Sequence, residues 1–311
     1  MFEKALPLIE SFDTIIIHRH RNPDGDAIGS QTGLYNIIKT NYPQKTVYMV
    51  GDDAGRYAFI AGRPMDEISD GSFGNALSII LDTSAKALIS DTRYSTAAKT
   101  LRIDHHLFVE QIADIEVVDT SYESCAGLVT QMAIECNLKV SGDAAAALFA
   151  GMVTDSGRFR FDSTSSGTFR RAGFLMDIGI DTNAIYSRLY TTTIEDMKMK
   201  AAFIEKIRFT EKNVAYIYTT RKELEELGIT AFGAARGYVN TMADMKGVSI
   251  WAAFAEGDEG ILCELRSSGP DINAIAVKYG GGGHSKASGA TLDCRQTVEA
   301  MLRDLDEITD K

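Results

Sequence analysis

Four short stretches carry most of the side chains able to do chemistry: His20-Arg-Asn-Pro-Asp24-Gly-Asp26, the lone Asp82, Asp104-His105-His106, and Thr154-Asp155-Ser156-Gly157. Carboxylates gathered in one place repel one another and raise each other's pKa unless cations neutralise them, so such a set asks for metal. Mixed carboxylate and imidazole donors suit Mn²⁺ better than Ca²⁺ or Mg²⁺, which take oxygen almost exclusively, with Mg²⁺ the nearest substitute. Six or more ligands in separate segments exceed one ion's needs. They point to two ions ~3.5–4 Å apart that share a carboxylate and a hydroxide attacking phosphorus in line. Each residue also has a plainer reading. Pro-Asp-Gly-Asp is good turn chemistry, Asp26 could cap the helix that follows, and Asp82 before Thr83-Ser84 could be another cap. Yet three of the 5 histidines, His20, His105 and His106, fall in these stretches.

The elements that must position these residues alternate. Short β-branched runs at Thr14 to His18, Thr46 to Val50, Leu77 to Asp82, Thr100 to Asp104 and Ile115 to Asp119 read as strands. Ala27 to Lys39, Cys125 to Glu135, Asp143 to Val153 and Ser166 to Met176 have helical spacing, and the lengths suit βαβ units. The fold class is therefore α/β: an N-terminal, mainly parallel sheet with flanking helices, whose ligands bind beyond the carboxyl ends of the strands. Every chemical residue above except Asp155 follows a strand. From about Thr191 the texture changes to a charged helical stretch, Ile194 to Ile207, and then to alternating runs at Val214 to Tyr218, Val248 to Phe254 and Ile261 to Arg266. That reads as a smaller C-terminal α+β domain. The expected division is a catalytic domain over 1–190, a linker helix over 191–209 and a substrate-binding domain over 210–311.

The second domain has its own candidates. Gly280 to Gly283 is followed by His284 and Lys286, and consecutive glycines let backbone N–H groups close around an anion. Arg266 offers a bidentate fork for phosphate or carboxylate. Arg158 and Arg160, just past Asp155, could neutralise substrate phosphates or simply be solvated. His18 shares a strand face with His20 and reads as packing beside the site.

Composition limits the substrate. Of 311 residues, 32 are basic and 43 acidic, a net charge of -11 that is the wrong sign for gripping long nucleic acid but leaves a short anionic substrate open. Hydrophobic residues make up 45% and no apolar run approaches the ~20 residues of a membrane span. The N-terminus lacks a cationic segment followed by an apolar one, and the four cysteines have no metal-binding spacing, so a reduced cytoplasm is expected.

Taken in order, these motifs resemble those of the DHH phosphoesterases with a C-terminal DHH-associated domain, of the nanoRNase and phosphoadenosine-phosphate phosphatase type. The matching segments are His20 to Ser30, Leu81-Asp82-Thr83, Asp104-His105-His106, Val153 to Gly157, Glu264 to Ser268, and Gly281 to Gly289. Ser156 stands where Thr is frequent and Ser288 where Ala is frequent, both keeping size. The resemblance implies that His20, Asp24 and Asp82 hold one ion while Asp26, Asp82, His105 and Asp155 hold the other, with Asp82 the bridge. It further implies that His106 faces the substrate phosphate, that Asp104 orients the His105 ring, and that Arg266, Gly281, Gly282, Gly283 and His284 hold the substrate, the active site lying in the cleft between the domains.

The implied activity is manganese-dependent hydrolysis of very short oligoribonucleotides to mononucleotides, with conversion of 3′-phosphoadenosine 5′-phosphate to AMP as a second reaction. A homodimer is implied by resemblance alone. A cyclic or linear dinucleotide phosphodiesterase would use the same metals. A manganese pyrophosphatase lacks support because a Ser-Arg-Lys-Lys type motif is missing, and a non-catalytic nucleotide-binding regulator would not need the complete ligand set.

Overall fold

The computed structural model describes residues 1–309. The chain divides into two compact units, Met1–Thr191 and a second that begins at Thr192.

In the first unit, β1 (Thr14–His18), β2 (Thr46–Met49), β3 (Leu77–Leu81), β4 (Lys99–Asp104) and β5 (Ile115–Val118) form a sheet of order β2-β1-β3-β4-β5 in which every pair is parallel. Its central strands are buried on both faces: Ile15, Ile17, Ile79 and Leu81 pack against the helices, while Ile16 and Ile80 on the other face are covered by Phe73, Ile89, Tyr94 and Ile112 from loops and short turns. From β1 the chain passes to β2 on one side and then to β3 on the other. The order therefore reverses between β1 and β3, where open α/β sheets make a crevice beyond the strand ends.

Two helices carry the packing down from that crevice. The Gly25–Asn41 helix begins at Asp24, whose side chain accepts from the N–H groups of Asp26 and Ala27. It lies against the Gly142–Asp155 helix so closely that a Cβ at Gly29 would meet the Ala147 carbonyl at 2.6 Å and Gly151 Cα at 2.8 Å. The Cys125–Glu135 helix, capped by Ser124, packs against both. Glycine on the seam thus fixes where Asp26 and Asp155, near opposite ends of their helices, come to lie.

In the second unit β6 (Arg208–Phe209), β7 (Ala215–Thr219), β8 (Ile250–Glu256), β9 (Ile261–Ser267), β10 (Gly282–His284) and β11 (Ala287–Leu292) form a mixed sheet of order β10-β11-β9-β8-β7-β6. Alternate residues divide its core: Ala252, Phe254 and Leu265 pack with Met301 and Leu305 of the C-terminal helix, while Ala253 and Ala255 pack with Phe203 and Val239. The expectation of an open glycine loop around an anion needs correcting. Gly282 to His284 are a strand paired with β11, and a Cβ at Gly281 would overlap the Gly289 carbonyl, while one at Gly283 would lie 2.6 Å from that of Ala287. Those two glycines are required by the close approach of the hairpin backbones, whereas a Cβ at Gly282 would meet open space.

Candidate metal centre

The ends of β1, β3 and β4 deliver their polar residues to one place. Asp82 directly follows β3, is 2% exposed and takes a left-handed φ of 50°, a strained conformation for a side-chain-bearing residue. His20 faces it from the β1 end with Nε2 3.5 Å from Asp82 Oδ2 and 3.8 Å from Asp24 Oδ1. From the β4 end His105 Nε2 lies 3.4 Å from Asp82 Oδ1, 3.4 Å from Asp155 Oδ2 and 3.8 Å from Asp26 Oδ2.

Both rings are turned by their backbone partners. His20 Nδ1–H donates to the Arg21 carbonyl at 2.9 Å, and His105 Nδ1–H to the Tyr122 carbonyl at 3.3 Å. Each Nε2 is left as the atom aimed at carboxylates, the arrangement common for metal-bound imidazole. The separations of 3.4–3.8 Å exceed the ~2.7–2.9 Å of charge-assisted hydrogen bonds and suit donors that each approach a shared cation at ~2.0–2.2 Å. Asp82 Oδ1, buried and without a hydrogen-bond partner, fits the same requirement. His20, Asp24 and Asp82 form one group able to hold an ion, and Asp26, His105 and Asp155 another, with Asp82 in reach of both imidazoles.

Electrostatics report the same demand for positive charge. Burial opposes a charged His20, but Asp24 and Asp82 outweigh it and hold the imidazole at about 11. His105 is also held well above its ordinary value, against burial, by Asp82 and Asp155. Burial and the charges of Asp82 and Asp155 push Asp26 up. Burial raises Asp155 to about 7, with His105 opposing and Asp82 assisting. Asp82, although buried, is held well below its usual range by His105 and His20.

Asp26 does more than the plain capping reading foresees. It does not cap its own helix; its carboxylate accepts from Cys125 N–H at 2.7 Å and Ala126 N–H at 2.9 Å, so it caps the Cys125–Glu135 helix instead. Asp104 requires a second correction. Its Oδ1 accepts from His106 Nδ1–H at 2.8 Å, so Asp104 orients the ring of His106, whereas His105 touches it only through its backbone N–H. Side chains alternate along extended chain, which puts Asp104 and His106 on one side and His105 on the other. His106 differs from the other two imidazoles in that the nitrogen it turns toward carboxylates is Nδ1, 2.8 Å from Asp104 Oδ1 and 3.6 Å from Asp82 Oδ1, whereas His20 and His105 turn Nε2. Its pKa is raised, against burial, by the bond to Asp104 and the charge of Asp82.

Two arginines that hold the site fall outside every motif. Arg102, fully buried, donates to Asp104 Oδ2 at 2.5 Å, and Arg19, also buried, bonds Asp52 at 2.8 Å and the His20 carbonyl at 3.2 Å. Asp52 in turn accepts from Asn22 N–H at 2.7 Å, which ties down the turn between His20 and Asp24. The one signal for Arg102 in the sequence is an arginine inside an apolar strand, two residues before Asp104. His18, buried, contacts Ser78 Oγ at 3.1 Å through Nε2 and lies among Phe73 and Tyr94, apart from the ligand groups.

The remaining candidates lie elsewhere. Arg160 is exposed, in the turn that follows Asp155. In the second unit, His284 is opposite Ala287 and Ala287 is opposite Arg266, so His284 and Arg266 share one face and one row of the sheet, two strands and ~10 Å apart. Arg266 also bonds Glu264 at 2.8 Å.

An α/β sheet with carboxylates and imidazoles converging at its switch point defines a metal-binding hydrolase of the phosphoester-cleaving class. Residues 14–152 match the DHH family, N-terminal domain, and residues 214–311 match the DHHA1 domain. A Bacillus subtilis protein named bifunctional oligoribonuclease and PAP phosphatase NrnA is 34% identical over 99% of this chain and 98% of its own. A Streptococcus mutans protein named probable bifunctional oligoribonuclease and PAP phosphatase NrnA is 35% identical over 93% of each. The crystal structure of an exopolyphosphatase-related protein from Bacteroides fragilis superposes with a TM-score of 0.89 at 25% identity, covering 100% of this chain and 97% of that one. The chain belongs to the DHH phosphoesterase family.

Proposed function

We propose that this protein is a manganese-dependent phosphoesterase that hydrolyses short oligoribonucleotides to mononucleotides and also removes the 3′-phosphate of 3′-phosphoadenosine 5′-phosphate. The observation that carries this is Asp82, whose two oxygens face His20 Nε2 at 3.5 Å and His105 Nε2 at 3.4 Å with no hydrogen-bond donor satisfying Oδ1. His20, Asp24 and Asp82 would hold one divalent ion, and Asp26, Asp82, His105 and Asp155 the other. When bound, such ions neutralise the carboxylates and make a water acidic enough to attack phosphorus at neutral pH.

The chain's own residues do the rest. His106, kept protonated by Asp104 and Asp82, donates a proton to the leaving oxygen, and Asp104 fixes the ring that delivers it. Arg266 and His284 capture the nucleotide end remote from the metals, with Gly281 leading into the strand in which Gly282 and Gly283 set His284 opposite Ala287. Arg160 contributes charge beside the phosphate. The compartment this reading calls for is the cytoplasm, where short RNA fragments arise. Among the described residues no helix is long and apolar enough to cross a membrane, and the four cysteines are free thiols.

The test is one panel: protein with Mn²⁺ against an RNA dinucleotide, 3′-phosphoadenosine 5′-phosphate, cyclic di-AMP, pyrophosphate and a long RNA. Turnover of the first two well above the others is expected. Preference for the cyclic dinucleotide or pyrophosphate would overturn the substrate assignment.

A further inference from the structure

We propose that Glu123, clamped by Arg171 and Thr168, is a positioning residue for the metal centre: it anchors the short segment that aims both His105 and Asp26. The proposal rests on the reading of Asp26, His105 and Asp155 as ligands of one ion, and it gives a task to a buried ion pair that lies outside the ligand groups.

Residues 122–126 lead into the Cys125–Glu135 helix and meet two of those ligands through backbone alone. The Tyr122 carbonyl accepts His105 Nδ1–H at 3.3 Å, and the N–H groups of Cys125 and Ala126 donate to the Asp26 carboxylate at 2.7 and 2.9 Å. One carbonyl thus sets the angle of an imidazole, and two N–H groups three and four residues on set the oxygens of a carboxylate. Backbone groups hold two ligands in register only if the segment that carries them is itself fixed. Glu123 lies between the two contacts.

The Glu123 side chain, 1% exposed, is gripped by the Ser166–Asp177 helix. Its Oε2 accepts from the Thr168 hydroxyl at 2.8 Å and from Arg171 at 2.5 Å, and residues three apart on a helix share one face. Its Oε1 accepts from the Ser124 hydroxyl at 3.3 Å. Arg171, also buried, spreads its guanidinium over the Tyr122 ring, 4.4 Å from the centroid, so one arginine holds Glu123 and the residue whose carbonyl turns His105. Gly127 makes room for this arrangement, since a Cβ there would overlap Glu123 Oε1. A buried ion pair often stabilises a fold no better than apolar residues of the same size, but its hydrogen bonds are directional and apolar contacts are not. Here the direction is set immediately behind two metal ligands, where loss of an outer partner typically weakens metal binding about 10- to 100-fold.

The test is Mn²⁺ titration calorimetry on EDTA-stripped protein, with thermal melting of the same samples in EDTA. Glu123→Gln combined with Arg171→Met removes both charges and leaves neither buried alone, whereas Gly127→Ala keeps both charges and displaces the carboxylate. In each, one Mn²⁺ should bind as in the native protein and the second about tenfold or more weakly. Arg171→Lys, which keeps a cation facing Glu123, should fall between the native protein and the double variant. Asp24→Asn, in the other ligand group, supplies the comparison: joined to Gly127→Ala, it should weaken both ions. Gly127→Ala carries the test if the double variant does not fold. A purely structural role would lower the melting temperature and leave both dissociation constants of the folded protein unchanged, and that result would overturn the proposal, as would loss of the same ion that Asp24→Asn loses. Native protein that binds no Mn²⁺ sinks the metal-centre reading and the proposal with it, whereas native protein that binds two ions, matched by its Glu123 and Gly127 variants, sinks the proposal alone.

Discussion

Asp104 joins His106 to the buried Arg102: one carboxylate oxygen accepts His106 Nδ1–H at 2.8 Å and the other accepts from Arg102 at 2.5 Å. The pair sits at the end of β4, where His106 also lies within ligand distance of Asp82 and His105, so its bond to Asp104 is what separates a proton-donor role from a metal-ligand one. In the proposed mechanism this unit delivers the proton, so its members should fail together.

His106→Ala should leave bound metal nearly intact and lower turnover ~10²- to 10⁴-fold. Asp104→Asn should lower it less and move the alkaline limb of the pH–rate profile to lower pH, because the raised pKa of His106 depends on that carboxylate. In the His106→Ala background Asp104→Asn should add almost nothing. Loss of metal in either single variant would return these residues to the metal shell.

The helix seam makes a metal-site prediction far from any ligand's own atoms. A Cβ at Gly151 would lie 2.7 Å from Ala126 Cβ and 3.0 Å from Asp26 Oδ1. Gly151→Ala should therefore cost ~1–3 kcal/mol of stability and weaken Mn²⁺ binding, both read by calorimetry with and without metal. Unchanged affinity would mean that Asp26 is not set by this contact.

Much of the metal centre is legible in the amino-acid sequence. The run Ile15 to Ile17 marks β1, and in a parallel sheet the residues after strands must share one rim, so order alone brings His20, Asp82 and His105 together. The partner of Asp104 is not legible by adjacency, which suggests His105, whereas strand alternation selects His106. The β10–β11 hairpin is hidden because Gly, Ser and Ala carry little strand preference, and its cause, backbone contact at Gly281 and Gly283, has no side-chain signature. The cap that Asp26 makes joins residues about a hundred positions apart, which no local pattern encodes.

His18 gives the fold a pH dependence of its own. Burial holds its pKa down at about 4, against Asp91, so the folded state keeps it neutral while the unfolded chain binds a proton near 6.5. The resulting stability is complete above pH 6.5 and is lost as pH falls towards 4, a change on the order of 3 kcal/mol. Chemical denaturation in EDTA across that window should show a steeper loss for the native protein than for His18→Gln; equal slopes would contradict a neutral buried His18.

Arg266→Ala should leave metal content unchanged and depress turnover of an RNA dinucleotide far more than that of a generic small phosphodiester, which is too short to reach a remote-end clamp. Equal losses on both substrates would argue against capture of the remote nucleotide.

The central claim is that Asp82 joins two metal sites into one hydrolytic centre. Its most direct test counts bound Mn²⁺ per chain and dinucleotide turnover on the same samples as metal is returned to EDTA-stripped protein. The account predicts no hydrolysis without metal, activity that rises with the second ion bound, and loss of both metal and turnover in Asp82→Ala. Full turnover with a single ion bound, or an Asp82→Ala protein that keeps its metal and its activity, would contradict it.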